Sequence, residues 1–188
     1  MLFDLYRSKD ISVFIAALLV CQNAYETKLN GGAVFATPNF LNNNNIGGIT
    51  WNNNTMREGA VKNGVVINRG TPRGNNEGSY YVRFQSVRDC AMYIASMYKI
   101  NYENALRAST LDSFVSLIKR GGYFDDPEDR YIANLKGVKN NYLDPNLREI
   151  IDNPQRYNEE LDPVAVKATI KKKLQGLVLE LSSLLSQL

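Results

Sequence analysis

The sequence predicts an α+β protein in which helices dominate and strands are confined to one small lobe. Three observations predict it. Apolar residues recur at helical spacing early in the chain and again after Ser86. The intervening stretch from Gly31 to Asn76 turns to asparagine and glycine with short strand-like pieces. Helix-start signals then recur through the second half. With 188 residues, 44% hydrophobic and 22% charged, the chain is long enough for one substantial core.

The first helix is expected from about Asp10 to Glu26. Phe14, Leu18, Cys21 and Tyr25 follow one another at four, three and four residues, and Val13, Ala17, Val20 and Ala24 fill the adjoining face. A helix apolar nearly all round is a central one, and Asn30-Gly31-Gly32 offers the positive backbone angles of its exit. Strands are expected at Gly48 to Trp51, Gly64 to Asn68 and Tyr80 to Phe84, forming a small antiparallel sheet among loops. The asparagine runs Asn42 to Asn45 and Asn52 to Asn54 read first as genomic base bias and only second as sugar-binding groups. Ser86 and Asp89 resemble a capping box opening a helix from Val87 to Tyr98 that buries Cys90, Ile94 and Met97. Further helices are expected at about Tyr102 to Ala108 and Leu111 to Arg120. Another follows Asp126-Pro127-Glu128-Asp129, where an N-cap, a first-turn proline and acids lead to about Lys136.

This gives a domain over residues 1–142, a linker over 143–161 in which Asp144 to Glu160, with two prolines and many charges, suggests a short helix as well, and a C-terminal helix over 162–188. In the last, Ile170, Leu174, Leu177, Leu181, Leu184 and Leu188 form a heptad seam. That seam suits either packing along the domain's own surface, or self-association and docking to a larger assembly such as a phage tail.

A net charge of +3 mildly favours an anionic polymer and is too small to argue for nucleic acid. The absence of histidine removes serine–histidine and cysteine–histidine nucleophile systems and most zinc sites, leaving carboxylates, tyrosine or lysine to carry chemistry, with no cofactor and no metal expected. Cys21 and Cys90 each fall in an apolar helical pattern and read as buried thiols. The apolar run from Ile11 to Cys21 imitates a secretory segment. Asp4 and Asp10 spoil its basic flank, Cys21-Gln22-Asn23-Ala24 is a poor cleavage site, and the run is too short for membrane insertion. A wall-acting protein without a signal peptide reaches its substrate by lysis, by dedicated export or on a virion.

Breaking a glycosidic bond requires a carboxyl that stays protonated near neutral pH, together with a means of stabilising positive charge or activating water. Glu26 suits the first task. It ends a very apolar helix, where desolvation and the negative end of the helix dipole both raise its pKa. Gln22, one turn earlier, is placed to hydrogen-bond toward the same cleft.

Four blocks occur in order. They are Leu19-Val20-Cys21-Gln22-Asn23-Ala24-Tyr25-Glu26-Thr27, Asn44-Asn45-Ile46-Gly47-Gly48-Ile49, Glu77-Gly78-Ser79-Tyr80-Tyr81-Val82-Arg83-Phe84-Gln85-Ser86, and Gly121-Gly122-Tyr123-Phe124-Asp125-Asp126-Pro127 with Tyr131. Together, over about residues 10 to 138, they resemble the glucosaminidase family of peptidoglycan hydrolases, which includes bacterial autolysins and phage lysins. The resemblance implies a lysozyme-like fold with a small β-lobe, and cleavage of the N-acetylglucosaminyl linkage to N-acetylmuramic acid. It implies Glu26 as general acid and Tyr123 beside the active site, positioning the acetamido group or stabilising charge. The second acid, which the family draws from its β-lobe, is then Glu77, with Glu58 in reserve. Muramidase action and lytic transglycosylation belong to the same fold, and a non-catalytic structural or wall-binding role remains the alternative outside catalysis. Lys28-Leu29-Asn30 stands where members carry Gly-Trp-Gly, so Trp51 is the candidate stacking platform. Gln22, Asn45, Trp51 and Tyr81 are the candidate substrate-binding side chains, and Tyr80, Tyr81, Tyr93 and Tyr98 each divide between platform and core, with core favoured.

Overall fold

The computed structural model describes residues 2–30, 32–74 and 78–158. The heptad-patterned helix and Glu77 lie outside the described residues. The chain is α+β, with eight α-helices among the described residues and one four-stranded antiparallel sheet.

Helix α2 (Val13–Glu26) is the axis of the molecule, as its all-round apolar pattern predicts: every residue from Phe14 to Ala24 is buried. Ser12 caps its start, its hydroxyl accepting from the Ile15 amide at 3.3 Å. The helix ends sooner than the Asn30-Gly31-Gly32 exit suggested. At its C-cap the Thr27 hydroxyl donates to the Asn23 carbonyl at 2.6 Å and accepts from the Phe35 amide at 3.2 Å, so a side chain rather than a glycine closes the last turn. Around α2 pack α1 (Leu2–Arg7), α6 (Glu128–Tyr142), α7 (Pro145–Asp152) and α8 (Pro154–Asn158). The sequence pattern missed α1, which the Tyr6 hydroxyl fastens to the Asn23 side chain at 2.5 Å.

Residues 143–158, expected as a short helix and a linker, form two helices packed on the core. Leu143, Ile150 and Ile151 are buried, and α7 and α8 lie on α2. The two prolines that suggested a linker start helices, a position where the missing N–H costs nothing. Helix α6 likewise runs past Lys136 to Tyr142, because Tyr131, Leu135 and Val138 keep one face in the core and outweigh the mild cost of Gly137. Its N-cap is Pro127 rather than Asp126.

The sheet has the order β1-β4-β3-β2, from β1 (Thr50–Trp51), β2 (Ala60–Lys62), β3 (Val65–Pro72) and β4 (Tyr80–Phe84). The short edge strand β2 was not expected. It pairs with β3 through the tight turn Asn63-Gly64, both at positive φ (50° and 80°), which suits a two-residue hairpin. Trp51 lies opposite Tyr80 in register, on the face that carries the buried Val82 and Phe84. That face meets α4 (Val87–Asn101), whose Ser86–Asp89 cap forms as predicted.

The first asparagine run stitches this lobe together. Helix α3 (Pro38–Asn43) delivers Asn43 to Thr71, with bonds of 2.8 and 3.0 Å. Asn44 donates to the Phe84 and Gln85 carbonyls from a left-handed conformation (φ 52°). Asn45, fully buried, donates to Ile49 and Val82 carbonyls at 2.8 and 2.9 Å and accepts from the Ile49 amide at 2.9 Å. Buried backbone groups in an irregular loop need such partners, and the short forked amide supplies both donor and acceptor.

Cys21 and Cys90 are free and buried, and burial pushes both thiols up to about 12. Among the described residues no helix is long and apolar enough to cross a membrane.

Replacing Asn45 by alanine removes three hydrogen bonds and leaves buried backbone groups unpaired, so Asn45→Ala is expected to lower unfolding free energy by about 3 kcal/mol in urea denaturation. A change below about 0.5 kcal/mol would mean that water replaces the side chain at this site.

Candidate active site

A cleft of about 950 Å³ opens between the helical body and the β-lobe, and Glu26 is on its wall. Three elements build the surroundings of this carboxyl.

The first is α2 itself, which brings Glu26 to the cleft at the end of a helix buried from Phe14 to Ala24. The second is the Gly47-Gly48 turn. Gly48 has φ +62°, and a Cβ there would stand 3.3 Å from Glu26 Oε2. A Cβ on Gly47 would come within 2.8 Å of Ile94. Glycine at both positions lets the β-lobe close down on α4 and on the acid.

The third is the turn after α5 (Leu111–Arg120). Gly122 (φ 77°) donates to the Lys119 carbonyl at 2.9 Å and Tyr123 to the Ile118 carbonyl at 3.0 Å, the paired bonds of a Schellman motif. This turn directs Tyr123 and Phe124 into the cleft wall, and Lys119 holds its far side through the Phe124 and Asp125 carbonyls. Helix α6 then supplies Tyr131, whose ring stacks on Phe124 at 3.9 Å and meets Tyr25 edge-on at 5.1 Å.

Glu26 joins a directional chain of hydrogen bonds. Tyr98 donates to Gln22 Oε1 at 2.6 Å, Gln22 Nε2 donates to the Tyr131 hydroxyl at 3.1 Å, and Tyr131 donates to Glu26 Oε1 at 2.9 Å. The direction is forced, because an amide oxygen only accepts and an amide NH2 only donates. With Gln22 filling the acceptor side of Tyr131, the phenolic proton is committed to Oε1. A proton carried by the acid therefore resides on Oε2, the oxygen beside Gly48.

Burial raises the Glu26 pKa to about 7, against a smaller lowering by the Tyr131 hydrogen bond. Near neutral pH the carboxyl is thus a proton donor whose conjugate base is also populated. The hydroxyls of Tyr98, Tyr123 and Tyr131 are all pushed up, first by burial and then by neighbouring charge, and stay protonated.

The expected site residues separate under this geometry. Glu26 and Tyr123 share the cleft. The Tyr123 hydroxyl is buried without a hydrogen-bond partner among the described residues, its ring near those of Tyr98 (6.0 Å) and Tyr102 (5.6 Å). Gln22 is fully buried and points inward to two tyrosines rather than into the cleft, so it positions Tyr131 and through it Glu26. Asn45 has its amide taken up by backbone.

Trp51 offers no stacking face. It is 5% exposed, with its indole N–H on Asn53 at 2.9 Å, because strand alternation turns it to the core while its neighbours Thr50 and Asn52 reach the cleft. Tyr81 is opposite Thr50 in register and lies under the Arg73 guanidinium at 5.7 Å, supporting a cleft residue rather than lining the cleft. Tyr93 lines the cleft, and Tyr98 belongs to the core. Glu58 is away from the cleft, accepting from the Arg69 amide at 3.2 Å with the Arg69 guanidinium at 4.0 Å.

Tyr131, Gly48, Lys62 and Arg73 carry weight that sequence reasoning did not assign. Tyr131 had a signal in its place beside the Gly-Gly-Tyr block, whereas the two cations had none. The other described acids of the cleft are Asp125 and Asp126, on the turn that carries Tyr123. Among the described residues no three potential metal-ligating side chains cluster. Comparison of the chain with family models, with curated proteins and with solved structures finds no match.

Two measurements probe the carboxyl. Its folded pKa of about 7 exceeds the ordinary 4.5, so Glu26 stabilises the fold fully below about pH 4.5 and that contribution is lost as pH rises through 7. Glu26→Gln is therefore expected to gain stability relative to wild type by about 3 kcal/mol between pH 4.5 and 8 in thermal or urea unfolding, and a pH-independent difference would contradict the raised pKa. Tyr131→Phe removes the donor that favours the carboxylate, so carbon-detected NMR titration is expected to show the Glu26 midpoint moving upward from about 7.

Proposed function

We propose that the chain is a glycosidase of lysozyme-like fold that cuts the glycan backbone of bacterial peptidoglycan, with Glu26 as its general acid. One observation carries the proposal: a carboxyl raised to about 7, on the wall of an open cleft between a helical body and a small antiparallel lobe. Protonation of a departing glycosidic oxygen needs a proton donor of this kind where a sugar chain can reach it.

The order of the four sequence blocks supports the N-acetylglucosaminyl linkage to N-acetylmuramic acid as the bond cut. In this reading Glu26 delivers its proton from Oε2 while Tyr131 keeps Oε1 in place. After leaving-group departure the same carboxylate accepts a proton from the attacking water. Tyr123 lines the cleft and borders the acetamido group of the substrate, its hydroxyl remaining buried. Stacked Phe124 and Tyr131, with Tyr25, provide the aromatic edge of the cleft in place of Trp51. Asp125 and Asp126 are the described carboxylates on hand to stabilise positive charge, alongside the family-based candidate Glu77. The setting is the bacterial wall, reached from a virion or after lysis.

Digestion of purified peptidoglycan, with new chain ends read by mass spectrometry after borohydride reduction, tests the proposal. Wild type is expected to release reducing N-acetylglucosamine ends, and Glu26→Gln to lose roughly 10²–10⁴-fold in rate. Reducing muramic or anhydromuramic ends would keep Glu26 as the acid and make the enzyme a muramidase or a lytic transglycosylase. No new ends with either protein, across several wall types, would sink the proposal.

A further inference from the structure

Phe35 has φ 52°, a backbone angle that glycine and asparagine accept and that a bulky aromatic residue adopts only when its surroundings hold it there. What holds it is Thr27, the residue after Glu26. The fully buried Thr27 hydroxyl accepts from the Phe35 amide at 3.2 Å while donating to the Asn23 carbonyl at 2.6 Å, and the Thr27 carbonyl accepts from the Ala36 amide at 3.1 Å. The end of α2 thus grips the chain that leads into α3 at two successive residues. From Phe35 a series of contacts returns to the acid. Its ring meets that of Phe40 in α3 edge-on at 5.8 Å, and Asn39 of the same helix, also buried, donates to the Asn45 carbonyl at 3.1 Å. Asn45 spans the Gly47-Gly48 turn by bonding both the amide and the carbonyl of Ile49, and Gly48 stands beside Glu26 Oε2.

We infer that Thr27 is a positioning residue for Glu26: by holding Phe35 in its strained conformation, it sets how closely the Gly47-Gly48 turn covers the carboxyl. Without the hydroxyl the Phe35 amide loses its acceptor and the backbone relaxes toward negative φ. Helix α3 then shifts with Phe35 and, through Asn39 and Asn45, carries the turn away from Oε2. The positioning concerns the carboxyl itself, and its service to catalysis rests on the glycosidase reading.

The titration midpoint of Glu26 reports this cover. Burial raises it and the Tyr131 bond lowers it, and the other phenols near the carboxyl, those of Tyr25, Tyr98 and Tyr123, are neutral near pH 7. The charged side chains that share its cleft, Lys62, Arg73, Asp125 and Asp126, are not among the causes of the shift. Carbon-detected NMR titration of the full chain is the test. Thr27→Val, the same shape without the hydroxyl, is expected to lower the midpoint from about 7 by roughly one unit, and Thr27→Ser to leave it at about 7. Asn39→Ala cuts the same path at its far end and is expected to lower the midpoint as well, so it carries the test if Thr27→Val does not fold. Ile151→Ala opens a cavity where α7 packs on α2, off this path, and is expected to cost stability with the midpoint unmoved. A midpoint that stays at about 7 in Thr27→Val or in Asn39→Ala, or an equal fall in Thr27→Ser or in Ile151→Ala, overturns the inference. Peptidoglycan digestion by the same proteins separates the readings. If wild type releases no new ends while the midpoints move as expected, the glycosidase fails and the positioning role of Thr27 stands.

Discussion

A carboxyl group at the end of a helix buried from Phe14 to Ala24 is the constraint on which the rest of the structure depends. Helix α2 places Glu26, half-buried, on the cleft wall, and the cost of ionising there raises its pKa to about 7. The neighbours do not cancel this effect. Tyr131 gives one neutral hydrogen bond, which steadies the carboxylate without the strong stabilisation of a cationic partner, and no ion pair involving Glu26 occurs among the described residues. An arginine in place of Tyr131 would hold Glu26 ionised and remove its capacity to donate. The choice of a phenol therefore matters chemically as well as sterically.

Gln22 gives that phenol its direction. A water in the same place could turn and reverse the chain from Tyr98, whereas the amide, fixed between two tyrosines in the core, cannot do so without losing both bonds. A proton carried by Glu26 is thereby assigned to the oxygen beside Gly48. Only the smallest residue, with its positive φ, keeps that oxygen uncovered by a neighbouring side chain.

The β-lobe follows a different logic. Its strands are short, and much of its stability comes from asparagine side chains replacing a regular hydrogen-bond ladder, with Asn43, Asn44 and Asn45 tying α3 and its following loop to β3 and β4. A lobe built this way presents cleft residues from loop ends and strand edges. Lys62 and Arg73 reach the cleft from such places, and so do Thr50 and Asn52, while alternation turns Trp51 inward.

Periodicity by itself determined the central helix, the helices after Ser86 and Thr110, and three of the four strands, because these elements have a face or a whole circumference to bury. It also marked Glu26 as a carboxyl closing an apolar helix, a weak signal alone that became specific only through the resemblance carried by the four sequence blocks. The chain overrode it where local signals were weak. Prolines read as part of a short helix and a linker start two helices, α7 and α8, a threonine rather than a glycine ends α2, and the isolated Gly137 leaves α6 unbroken. Only the tertiary structure decided which polar side chains meet the acid. Gln22 and Tyr131 are separated by more than a hundred residues and Gln22 and Tyr98 by 76, and hydrogen bonds across such distances leave no spacing to read. The inward turn of Trp51 and the use of Asn45 by backbone carbonyls were decided in the same way. A residue's type fixes what it can bond, and the packing of distant elements fixes what is there for it to bond to.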